Sequence, residues 1–106
     1  MVKLIALYKK PENPAEFDRL YFESHLPLAR KMPGLQKADV SKITGAPQGD
    51  CEYYMVAQLY FDSMEALTAA MSSEEGRAAA RNLMSFARGL VSMMFAEEVA
   101  PVSVAG

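Results

Sequence analysis

Residues 2 to 9 alternate in the manner of a strand, with Leu4, Ala6 and Tyr8 on one face, Ile5 and Leu7 on the other, and Lys3 and Lys9 flanking them. Both faces are apolar. Pro11-Glu12-Asn13-Pro14 ends the strand, and Asn13, Pro14 and Glu16 fit the N-cap, N1 and N3 positions of a helix in the manner of a capping box. Phe17, Leu20, Tyr21, Ser24 and Leu28 recur at helical spacing as its buried stripe, with His25 on the flank. Pro27 has no N–H for the carbonyl of Glu23 and pushes Leu26 away from helical backbone, which predicts a kink or restart before Pro33-Gly34 ends the helix.

Residues 35 to 44 read as a strand whose Lys37, Asp39, Ser41 and Lys42 suit a sheet edge. After the loop Gly45-Ala46-Pro47-Gln48-Gly49-Asp50, residues 51 to 61 alternate most clearly. Tyr53, Met55, Ala57, Leu59 and Phe61 form an apolar face, and Glu52, Tyr54, Val56, Gln58 and Tyr60 a mixed one. Asp62 with Glu65 signals another helix start, with Met64, Leu67, Ala70 and Met71 inward and an interruption near Ser72-Ser73-Glu74-Glu75-Gly76. A further helix places Ala79, Leu83, Phe86, Ala87 and Leu90 on one side and exposes Arg77, Arg81 and Arg88. Residues 90 to 99 read as a last strand, and Ala100 to Gly106 as an extended or poorly ordered tail.

This order is βαββαβ, an α+β ferredoxin-like unit in which two helical segments cover one face of a four-stranded antiparallel sheet. One domain, residues 1–99, accounts for it. The first, third and fourth strands are apolar on both sides, so the uncovered face predicts a homodimer with sheet facing sheet. A cavity is expected between helix and sheet or between sheets, and the two tyrosines and the glutamine of the mixed face have the composition of a ligand cavity or subunit interface.

Composition narrows the partners. A chain of 106 residues suffices for one core without staples. Its 11 basic and 13 acidic residues give a formal charge of -2 with no long block of either sign, hence no electrostatic footprint for nucleic acid. No apolar run approaches the ~20 residues that span a bilayer. Met1 to Tyr8 reaches Lys9 and Lys10 too early for a signal segment. The single cysteine, Cys51, excludes an intrachain disulfide and fits a reducing cytoplasm. Its neighbours Asp50 and Glu52 disfavour a thiolate.

His25 is the only histidine, so a multi-histidine or cysteine metal site is excluded, and no spacing calls for a metal or other cofactor. Two readings of His25 stay open: a general acid or base whose neutral imidazole moves a proton on a lactone, enol or phenol, or a structural ring bonded to a carbonyl freed by Pro27. Tyr8, Tyr21, Tyr54 and Tyr60 are candidates to orient a substrate oxygen, or core residues with the hydroxyl at the rim. Gln58, at mid-strand, needs a partner, either a ligand or a cross-strand or cross-subunit group. The methionines, among them Met55, Met71, Met84, Met93 and Met94, read as core or as an adaptable apolar lining.

The run Leu7-Tyr8-Lys9-Lys10, then Phe17, Tyr21-Phe22, His25-Leu26-Pro27-Leu28-Ala29 and Pro33-Gly34-Leu35, resembles the EthD-like family of the dimeric α+β barrel superfamily over about residues 2 to 99. The resemblance implies a homodimeric barrel of small-molecule catabolism or biosynthesis, among relatives that include cyclases, isomerases and monooxygenases. It marks His25 and Pro27, with Tyr21 one turn earlier. The chain departs from the pattern at Phe22, where many members carry tryptophan. Two functions follow: cofactor-independent proton transfer on a hydrophobic, oxygenated metabolite with His25, or non-catalytic ligand binding in a degradation pathway with His25 structural.

Overall fold

The computed structural model describes residues 1–100, so the expected tail from Pro101 onward lies outside the described residues. The elements follow the order β1 (Val2–Lys9), α1 (Pro14–Arg19), a π-helical turn (Leu20–His25), α2 (Leu26–Ala29), β2 (Lys37–Lys42), β3 (Tyr53–Phe61), α3 (Met64–Ser72), α4 (Glu74–Ala87) and β4 (Val91–Glu97). Every strand pairing is antiparallel, in the sheet order β2-β3-β1-β4, which is the ferredoxin-like α+β arrangement. The polar β2 lies at an edge, where unpaired backbone meets water.

Register separates the two faces of the sheet. Val2, Leu4, Ala6 and Tyr8 pair with Phe61, Leu59, Ala57 and Met55, and this side is buried under the helices. The core forms two clusters. Tyr8, Met55, Phe17, Tyr21, Leu83 and Ala87 make one; Val2, Leu4, Phe61, Met32, Leu67 and Ala70 make the other. Fully burying side chains such as Phe61, Met55 and Leu67 contributes roughly 1.5–3 kcal/mol each.

The opposite face is less apolar than alternation within single strands predicts. Its rows are Lys37–Tyr60–Lys3–Ala96, Asp39–Gln58–Ile5–Met94 and Ser41–Val56–Leu7–Ser92, so the apolar patch narrows to Ile5, Leu7, Val56 and Met94 at its centre. Tyr54 does not join this face. A register shift between Tyr8 and Lys9 turns it toward α1, where its hydroxyl donates to Asp18 Oδ1 at 2.9 Å and accepts from Lys42 Nζ at 2.8 Å.

Helix ends follow local chemistry. Asn13 Oδ1 accepts from the Glu16 N–H at 3.2 Å, as the sequence predicts, but the Glu16 carboxylate turns to Arg19 instead of reaching back. The N-cap of α3 is Ser63, not Asp62: in extended backbone, Ser63 Oγ accepts from Ala66 N at 3.1 Å. Ser73 both ends α3 and begins α4, donating its hydroxyl to the Ala70 carbonyl at 2.5 Å and accepting from Gly76 N at 3.0 Å. Gly76 permits this tight corner, because a Cβ there would overlap the carbonyl oxygen of Ala70. Met71 is not inward as expected but 37% exposed.

Candidate functional site

Pro27 shapes the first helix differently from a simple kink. Leu26 stays helical (φ -59°, ψ -41°), and its N–H bonds to the carbonyl of Tyr21, five residues back. The wider π turn directly precedes the proline, where a tight α turn would press the pyrrolidine ring against the carbonyl of Glu23. It also changes where side chains point. Four residues overshoot one turn of an α-helix and undershoot one of a π-helix, so the drift from Phe17 to Tyr21 is reversed on the way to His25. His25 is therefore buried at 7% exposure instead of lying on the flank, and Tyr21 is buried beside it.

The His25 ring sits 5.3 Å from that of Tyr21 and 6.4 Å from that of Phe86 on α4, centroid to centroid. Tyr8 meets Tyr21 edge to face at 5.6 Å. These three polar aromatic groups line one cavity of about 90 Å³ between helices and sheet, at the seam of the two core clusters. Small residues make the space: Ala6 and Ala57 in its floor, Gly76 and Ala79 in its roof. Met71 and Met93, both partly exposed, stand at its mouth.

Burial sets the electrostatics. Desolvation holds His25 below its ordinary value of 6.5, while the Asn82 side chain and the Ala79 backbone oppose it, so the ring is neutral at pH 7. Burial pushes the Tyr21 phenol up to about 12, with the Tyr8 hydroxyl acting in the opposite sense, and Tyr8 goes up further still. The cavity thus offers two phenolic hydroxyls as neutral donors and one imidazole in its basic form, among apolar atoms.

Of the residues singled out in the sequence, Tyr8, Tyr21 and His25 come together. Tyr54, Gln58 and Tyr60 do not line this cavity. Gln58 Oε1 accepts from Lys3 Nζ at 3.1 Å on the open face, and the Tyr60 ring lies there with Lys3 and Lys37 ammonium groups 5.2 and 5.3 Å from its centroid. Tyr54 belongs to the Asp18–Lys42 contact. Phe22 is 41% exposed and covers the outer edge of Tyr21 without lining the cavity. Sequence reasoning passed over Asn82, whose side chain adjoins His25; a lone amide beside the stripe Ala79, Leu83 and Phe86 was the available signal. Among the described residues no group of three or more His, Cys, Asp or Glu side chains is placed to hold a metal ion, and no helix is long and apolar enough to cross a membrane.

Comparison with known proteins agrees with this architecture. A fold neighbour, the cofactor-independent oxygenase SnoaB from Streptomyces nogalater, has a TM-score of 0.65 at 16% identity, covering 99% of this chain and 97% of that one, a likeness of fold alone. An uncharacterized 11.0 kDa protein from the thcB-thcC intergenic region of Rhodococcus erythropolis is 34% identical over 98 residues, 92% of this chain and 95% of its own. The crystal structure of an EthD family protein from Bacillus halodurans C-125 superposes with a TM-score of 0.91 at 44% identity, covering 93% and 99% of the two chains. With residues 9–87 matching the EthD domain model as well, the chain belongs to the EthD family.

Proposed function

We propose that the protein binds a hydrophobic, oxygenated small molecule in the cavity between helices and sheet, and that His25 moves a proton on it without a cofactor. The observation that carries this reading is an imidazole, the only histidine of the chain, buried at 7% exposure in an apolar cavity beside two phenols. A base kept uncharged near neutral pH suits abstraction of a proton next to a carbonyl, or from a phenol or enol, and the Tyr8 and Tyr21 hydroxyls suit donation to the oxygen that gains charge. The chemistry is of the isomerising, cyclising or lactone-converting kind. The enclosed volume takes a small ring, and longer substituents leave past Met71 and Met93.

We also propose that two copies associate through the open face, with Ile5, Leu7, Val56 and Met94 at the centre of the interface and Lys3, Lys37, Gln58 and Tyr60 at its polar end. The cavity lies on the other side of the sheet, so the interface supports the floor of the site without filling it.

The test is solvent deuterium exchange into a panel of aromatic β-keto esters and enol lactones in D2O, read by mass spectrometry. The protein is expected to accelerate exchange for at least one member, and His25→Asn to abolish that acceleration while leaving the fold intact. Equal acceleration by the variant would refute the role of His25. Equal binding of the panel by both proteins, with no exchange by either, would favour the second reading, a non-catalytic carrier, which the otherwise apolar lining supports.

A further inference from the structure

Two buried side-chain atoms among the described residues have no hydrogen-bond partner, and they are complementary: His25 Nδ1 and Asn82 Oδ1. A buried polar atom left unpaired is destabilising, and one hydrogen bond between these two satisfies both. The Asn82 side chain is among the groups that favour the protonated ring of His25, although no closed hydrogen bond joins Oδ1 to Nδ1. The other end of the Asn82 amide is engaged, since its Nδ2–H donates to Ser24 Oγ at 2.9 Å, and Ser24 immediately precedes His25 on the π turn. Asn82 therefore spans from α4 to the turn that carries the imidazole, with its carbonyl oxygen as the free end.

We propose that Asn82 is a positioning residue for His25: its Oδ1 accepts the Nδ1 proton of the neutral imidazole, fixing the Nδ1–H tautomer, and leaves the Nε2 lone pair as the base that meets the cavity. This rests on the proton-handling role proposed for His25. Nδ1 has essentially no accessible surface, so Nε2 is the ring nitrogen a bound molecule reaches. A carboxylate at this place would hold the imidazole positive and spend its basicity, whereas an amide orients the ring and stays uncharged. Ser24 completes the arrangement by accepting from Asn82 Nδ2, which ties the amide to the turn that carries the ring. The other titratable groups lining the cavity are Tyr8 and Tyr21, both uncharged through neutral pH, and the neighbouring α4 residues Ala79, Leu83 and Phe86 carry no charged side chain. The Ala79 backbone carbonyl also favours a protonated ring nitrogen and is the acceptor with which the Asn82 oxygen competes.

Long-range proton–nitrogen correlation on the full-length, 15N-labelled protein at pH 7.5 reads the tautomer from a single pair of ring nitrogens, because the chain has one histidine. The expected spectrum shows a protonated Nδ1 and an unprotonated Nε2. Asn82→Leu is expected to move the ring to a majority Nε2–H form, the preference of free imidazole. Asn82→Asp, which still accepts, is expected to keep Nδ1–H and raise the titration midpoint of His25 by one pH unit or more. An Nε2–H tautomer in the unmodified protein overturns the proposal without any variant, as that form requires the reversed amide, with Nδ2 toward the ring. Persistence of Nδ1–H in a folded Asn82→Leu variant overturns it too. The tautomer is read without substrate, so this failure is distinct from a failure of deuterium exchange, which bears on the proposed function alone.

Discussion

Burying one imidazole in an apolar wall has a cost that depends on pH, and at His25 its sign is fixed. The folded protein holds the ring below 6.5, while the unfolded chain titrates near that value, so between the two the unfolded state binds more protons. The contribution of His25 to stability is complete above pH 6.5 and falls as pH drops toward the folded-state value. Melting temperature is therefore expected to decline from pH 7 to pH 5 more steeply in the parent than in His25→Gln. Parallel curves in calorimetry would contradict a buried neutral ring. At this scale the sequence was informative about identity and weak about neighbours. His25 could be named as the one histidine, two residues before a proline, and Tyr21 from its helical spacing, but Asn82 is distant in the chain and carries no motif. Gln58 and Tyr60 stand four and six positions beyond Tyr54 on one alternating strand, and only the register shift beside Tyr8 shows that Tyr54 turns to the other side.

Among the elements, the helical layer depends on two devices, and one of them was legible. Caps at Asn13 and Ser63, or its neighbour, follow from short polar side chains ahead of an apolar stripe, a purely local signal. The π turn was not legible, since Phe17, Tyr21 and His25 keep a spacing of four that suits an α-helix equally well, and Pro27 by itself predicts a kink or restart as readily as a widened turn. The break between α3 and α4 was visible as a cluster of small and polar residues, but its tightness was not. Gly76→Ala is expected to destabilise the protein by about 1–3 kcal/mol, because its methyl group would overlap the Ala70 carbonyl and come within 2.9 Å of that of Met71, both backbone. Ser73→Ala, which removes a cap without adding bulk, is expected to cost about 1 kcal/mol. Urea denaturation checks both, and a neutral Gly76→Ala would mean that the corner can open.

For the molecule as a whole, the order of elements carried most of the fold, because six segments in a βαββαβ order with strands apolar on the helix side leave few ways to pack. The open face was over-read: alternation within single strands made it broadly apolar, whereas pairing sets Lys3, Lys37, Asp39 and Gln58 among the apolar residues. The proposed homodimer therefore depends on a compact centre, and Val56→Glu is expected to convert a dimer to a monomer in sedimentation at micromolar concentration. A monomeric parent would remove the dimer and leave the cavity, which lies wholly within one chain. The central claim, a neutral imidazole in a ligand cavity, is tested most directly by nuclear magnetic resonance titration of the single histidine with and without 1-naphthol as the probe. The account predicts a midpoint below 6.5 in the free protein, and perturbation by the naphthol of His25, Tyr8, Tyr21 and Met93 together. A midpoint at or above 6.5, with naphthol shifts confined to the open face around Tyr60, would contradict it.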